Sequence, residues 1–145
     1  MHDLPRQLSS EELAELFGER THVVDLLADS EDPLGRARKV LAELSDEHKV
    51  EALNAHPRIG DRDLPERSAL EQGSDEDPAL LAALARLNKL YEEKFGFRFV
   101  VFVDRRPRAE ILSVLRERLQ RTRADELDAG LDELVAIALD RWRNR

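Results

Sequence analysis

The chain has 145 residues, of which 41% are hydrophobic and 37% charged, with a formal net charge of −8 at pH 7 and no cysteine. That length suits a single domain, 1–145, with a core of its own. The acidic balance argues against nonspecific binding to nucleic acid or anionic membrane, and the lack of cysteine excludes disulfides, thiolate catalysis and cysteine-based zinc sites.

No apolar run approaches the roughly 18 residues of a membrane span. The opening MHDLPRQLSSEE has no basic stretch leading into an apolar one, so no secretory signal is read there and the cytoplasm is the expected compartment. Ser9 and Glu12 fit a capping box that starts a helix with Leu13, Leu16 and Phe17 inward and Gly18 at its end. A short helical run over 21–28 carries Val23, Val24, Leu26 and Leu27. Pro33 suits the first turn of a third helix, on which Leu34, Ala37, Val40, Leu41 and Leu44 form the apolar face. Ser45 caps a fourth, which runs through Val50 and Leu53 into His56-Pro57.

A long helix is predicted over 79–94, with Leu80, Leu81, Leu84, Leu87, Leu90 and Tyr91 as its stripe. Residues 95–103, FGFRFVVFV, are the most apolar stretch. Their aromatic and β-branched content predicts an extended path, and one strand makes no sheet, so the segment near 97–103 is read as a buried extended connection. Helices follow over 109–119, with Ile111, Leu112, Leu115 and Leu119 inward, and from a Thr122 cap through Leu127, Leu131, Leu134, Ile137, Ala138 and Trp142. The architecture is all-α, a single helical bundle.

Chemistry concentrates in residues 53–72, LNAHPRIGDRDLPERSALEQ. Proline at 57 pushes His56 out of helical conformation and stops the helix before it, so the imidazole is expected at the mouth of an irregular loop, where ligand-handling side chains are often placed. Glu71 close behind makes an acid/base pair with it conceivable, with Ser68 and Gln72 hydrogen-bonding a polar ligand. The plain alternatives are a structural histidine and a solvated Glu-Gln face. His2, His22 and His48 share no metal-ligand spacing with His56, so no metal is expected. Arg141 lies beside Trp142 at the edge of an apolar face. On spacing alone it snorkels rather than clamping a carboxylate. There is no phosphate loop, nucleophile elbow or paired-carboxylate signature.

Taken together, His-Pro-Arg-Ile-Gly at 56–60, Ser-x-x-Glu-Gln at 68–72, Asn-x-x-Tyr-x-x-Lys-Phe-Gly-Phe at 88–97, Phe-Val-Val at 99–101, Thr-Arg-Ala-x-Glu-Leu at 122–127 and Ile-Ala-x-x-Arg-Trp at 137–142 resemble the 2-oxo-4-hydroxy-4-carboxy-5-ureidoimidazoline (OHCU) decarboxylase family. The set covers nearly the whole chain in the right order. The chain departs from the family pattern at Arg98, where proline is usual, and at Trp142, where leucine is common.

The resemblance implies an all-helical, cofactor-independent carboxy-lyase, commonly a homodimer. Its reaction is the decarboxylation that yields (S)-allantoin in urate degradation. It makes His56 the catalytic histidine, donating a proton to the carbon that lost CO2, and has Glu71 orient it. Arg141 meets the anionic substrate, with Arg123 as the alternative. Pro57, Ser68, Gln72 and the segment Val100, Val101, Phe102, Val103 line the pocket, the last largely through backbone groups. A single placed arginine would let an acidic protein bind an anion. The reading from another class is a non-catalytic helical interaction module, with residues 53–72 as its partner-binding loop.

Overall fold

A computed structural model describes residues 7–59 and 77–144. Among these are seven helices and no strand: α1 (Ser10–Phe17), α2 (His22–Leu27), α3 (Pro33–Glu43), α4 (Asp46–Asn54), α5 (Pro78–Phe95), α6 (Arg108–Arg118) and α7 (Arg123–Arg143). The expected all-α bundle is therefore what forms.

The starts of these helices are written in side chains that accept from otherwise unpartnered N–H groups. Ser9 Oγ accepts from Glu12 N while Glu12 Oε1 accepts from Ser9 N, both at 3.2 Å, which completes the predicted capping box. Asp32, Ser45, Asp77 and Thr122 each accept from an N–H of the first turn of α3, α4, α5 and α7. Pro33 and Pro78 fill the first helical position, where a missing N–H costs nothing.

The spine is α7, which packs against α1, α3, α4 and α5, while α6 packs on α5. Its inward face carries Leu127, Gly130, Leu131, Leu134, Ile137 and Ala138. Gly130 lets α7 pass close to α4: a Cβ there would stand 3.0 Å from Leu53 Cδ2. Two of the apolar helix positions, Leu26 and Leu90, are exposed, each 47%. At 100° per residue, Leu90 lies about 120° around α5 from the stripe of Leu84, Asn88, Tyr91 and Phe95. On α2, Val23, Val24 and Leu27 already form the buried face.

Residues 97–103 run extended through the interior, with Phe97, Phe99, Val100, Val101 and Val103 buried and Phe102 half-buried. Tyr91 packs on Phe95, Phe97 and Phe99 with ring centroids 4.6, 5.9 and 5.3 Å away. Buried extended backbone without a neighbouring strand leaves its polar groups in need of partners. Arginines supply them. Arg118 donates to Val100 O (2.9 Å), and Arg106 donates to Phe102 O (2.6 Å) and Val103 O (3.0 Å). The charge of Arg118 is in turn held by Glu126, at 2.7 Å, whose same oxygen accepts from the Tyr91 hydroxyl at 2.7 Å.

Candidate functional site

α4 ends at Asn54, and His56 follows two residues on, its N–H donating to Leu53 O at 3.2 Å. The imidazole is turned inward and is 5% exposed. It lies against the exit of α1. Gly18, with φ of +100°, lets the chain pass there: a Cβ would come within 2.7 Å of Ala55 O and 3.5 Å of His56 Nε2. No described residue hydrogen-bonds His56 Nε2. Burial pushes the imidazole pKa down to about 3, the Arg141 charge pushes the same way, and the Phe17 backbone acts in the opposite direction. His56 is thus uncharged throughout the physiological range.

This has a consequence for stability. The folded state refuses a proton that the unfolded chain accepts near pH 6.5, so below that value the unfolded state binds more protons and stability falls with pH. The contribution is fully present above pH 6.5 and is lost as pH drops toward 3. Between pH 6.5 and 5 it amounts to roughly 2 kcal/mol, at ~1.4 kcal/mol per pH unit. Urea unfolding at pH 7 and pH 5 should show this loss in the wild type. His56→Gln should lack that part of it, and equal losses in the two proteins would contradict a buried neutral imidazole.

Arg141 comes from the last turn of α7 and is 6% exposed, so it does not snorkel as its spacing alone had implied. Its guanidinium reaches across to the C-terminal end of α1, donating to Glu15 O at 3.2 Å and Leu16 O at 3.4 Å. A cation is well placed against those carbonyls. His56 and Arg141 therefore meet at one place, the end of α1, from opposite parts of the chain.

Arg123 is elsewhere. It is paired with Asp46 through two bonds of 2.7 and 3.0 Å, donates to Phe95 O at 2.9 Å, and holds the Asp46 carboxyl below its ordinary value. Asp46 begins α4 and His56 follows its end, so about 13 Å of helix separates the two positions.

The loop after His56 is pinned residue by residue. Arg98 donates to His56 O at 2.9 Å. Pro57 is half-buried. Arg58 pairs with Glu92 of α5 at 2.7 and 2.9 Å, and buried Asn88 donates to Ile59 O at 2.9 Å. Ser68, Glu71 and Gln72 lie outside the described residues. Val100, Val101 and Val103 are buried in the core and Phe102 is half-buried, and the carbonyls of Val100, Phe102 and Val103 are engaged by Arg118 and Arg106. Sequence reasoning gave no role to Asn88, Arg118 or Glu126. For Asn88 a signal existed, an amide at a core position of the α5 stripe. Among the described residues no three His, Asp or Glu side chains are grouped to hold a metal ion.

The described helices thus bring one buried, uncharged histidine and one buried arginine together at the end of α1, and no described helix is long and apolar enough to cross a membrane. Residues 2–143 match the family described as OHCU decarboxylase, and the chain belongs to that family. It is 34% identical over 107 residues to the 2-oxo-4-hydroxy-4-carboxy-5-ureidoimidazoline decarboxylase of Haloferax volcanii, a match covering 70% of this chain and 63% of that protein. It is 35% identical over 98 residues to the uric acid degradation bifunctional protein of Arabidopsis thaliana, covering 61% of this chain and 30% of that one. Both matches span less than two thirds of the relative. A crystal structure of OHCU decarboxylase in the presence of (S)-allantoin superposes with a TM-score of 0.76 at 25% identity, covering 90% of this chain and 94% of that one.

Proposed function

We propose that this protein decarboxylates 2-oxo-4-hydroxy-4-carboxy-5-ureidoimidazoline to (S)-allantoin in urate degradation, with His56 and Arg141 as its acting groups. The observation that carries the reading is the buried, uncharged imidazole beside a buried guanidinium, in a chain of this family.

The chemistry follows from the substrate. One ring carbon bears the hydroxyl and the carboxylate; its neighbour bears the ureido group and a C=N bond. The C–CO2 bond breaks, its electron pair moves through the neighbouring C=N onto the ring nitrogen, which takes up a proton from solvent, and an enol results. Allantoin has a carbonyl where the hydroxyl stood and a hydrogen on the ureido carbon. The hydroxyl proton therefore leaves, and a proton arrives one carbon along. The resemblance alone implies protonation at the carbon that loses CO2; atom balance places the proton on the ureido carbon.

A neutral imidazole suits both transfers. It accepts the hydroxyl proton as a base and returns it to the ureido carbon as an acid, from one face, which makes the product chiral. Arg141 binds the anion through its fork of donors. The bound anion offsets the Arg141 charge that depresses the His56 pKa, so substrate binding raises the proton affinity of the imidazole when it must take a proton. Glu71 orients His56, and Pro57, Ser68, Gln72 and residues 100–103 line the pocket; the motif match supports these assignments. The active form is read as a homodimer in the cytoplasm, and the resemblance supports that reading.

The test supplies substrate by oxidising and hydrolysing urate in situ and follows its disappearance. Added protein should accelerate it, and no acceleration would refute the proposal. Arg141→Ala should raise KM and lower kcat/KM roughly 10- to 100-fold, as for a lost hydrogen bond to a charged group. Arg123→Ala, at a solvated pair, should change kcat/KM by less than about twofold. The reverse ranking would give the anion to Arg123.

A further inference from the structure

We propose that Arg98 is a positioning residue for His56, the clamp that holds the end of α4 and hence the imidazole in place. A helix end leaves carbonyls without intrahelical partners, and backbone N–H groups one or two residues beyond the end usually cover them. Here the chain continues Ala55-His56-Pro57, and proline has no N–H to offer. Arg98 covers the gap from another part of the chain. Its Nη1 donates to both Asn54 O and His56 O at 2.9 Å, and its backbone N–H donates to the Asn54 side-chain oxygen at 2.9 Å.

The same residue begins the buried path of Phe99 to Val103, so one side chain ties the imidazole-bearing turn to the apolar wall. Among the described residues, the groups that act electrostatically on the His56 ring are the Phe17 backbone and Arg141, from α1 and α7. None of these holds the His56 main chain. Among the described residues beyond His56, the turn is otherwise tethered by Arg58 to Glu92 and by Ile59 to Asn88.

The inference rests on the proposed role of His56, and its test has one arm that does not. Arg98→Ala should lower kcat roughly 10- to 100-fold with KM within about twofold, the pattern of a misplaced reacting group rather than lost binding. Arg98→Lys, with a charged donor but no fork, should recover part of that loss. Independently of turnover, NMR of the His56 ring should show no titration above pH 5 in the wild type. In Arg98→Ala it should show a titration moved up toward the ordinary histidine value, as the loosened turn admits water. If Arg98→Ala proves unfolded by circular dichroism, Arg98→Lys carries both readouts. An unchanged ring titration together with unchanged kcat in a folded variant overturns the clamp. A wild type without decarboxylase activity refutes the proposed function, and the ring titration then decides the clamp alone.

Discussion

Replacing His56 by glutamine is expected to lower kcat/KM by roughly 10²–10⁴-fold, the range of a lost general acid–base group. Glutamine fills a similar volume and keeps hydrogen-bonding capacity, but it cannot accept a proton and hand it back. The loss should fall mainly on kcat, because Arg141 and its bonds to Glu15 O and Leu16 O remain to bind the anion. The fold should survive, since His56 Nε2 makes no hydrogen bond within the described structure that the change would break. Initial rates at saturating and limiting substrate separate these terms. A variant with wild-type kcat would remove His56 from the chemistry and leave it a structural residue.

The second large effect is on stability. Glu126 is fully buried, accepts from Arg118 and Tyr91 at 2.7 Å each, and has half-exposed Arg121 3.3 Å from its other oxygen. Glu126→Ala strands the buried Arg118 guanidinium and the Tyr91 hydroxyl and should cost about 3–5 kcal/mol. Burial and the Glu126 hydrogen bond both push the Tyr91 pKa upward, so its phenol stays protonated and donating at any ordinary pH. Arg118→Met combined with Glu126→Leu should cost much less than Glu126→Ala alone, because no unpaired charge is left inside. Urea midpoints for the three proteins check this. A Glu126→Ala midpoint within experimental error of wild type would mean that solvent reaches the pair. Because Arg118 also holds Val100 O, loosening this network should disturb the buried extended segment as well.

Most of the fold was legible in the sequence because its signals are local. Ser9 with Glu12, Ser45 and Thr122 name helix starts through bonds three residues long. The extended segment was legible because an apolar run rich in phenylalanine and valine has nowhere to go but inside. The exposure of Leu26 and Leu90 was not legible because leucine count and spacing do not say which side of a short or long helix a neighbour will cover. The Arg118–Glu126 pair was illegible for a different reason. Position 118 continues the buried face of Ile111, Leu112 and Leu115, but charge normally argues for solvent. Only the unpartnered backbone of the extended segment, a tertiary fact, explains an arginine there.

The site divides the same way. His56 was marked by the following proline, a local effect, whereas Arg141 stands 85 positions later and on spacing read as a surface side chain. Only the packing of α7 on α1 turns it inward, and only the motif set pointed to it beforehand. Arg98 was visible as a departure from the family pattern, but its reach to Asn54 and His56 was not.

The most direct test of the central claim is circular dichroism of the allantoin formed when urate is oxidised and hydrolysed in situ, with and without this protein. A rapid signal of the (S) enantiomer is expected in the presence of the wild type, against slow, racemic and therefore silent formation without it. Silent formation at the same rate in both samples would contradict the claim.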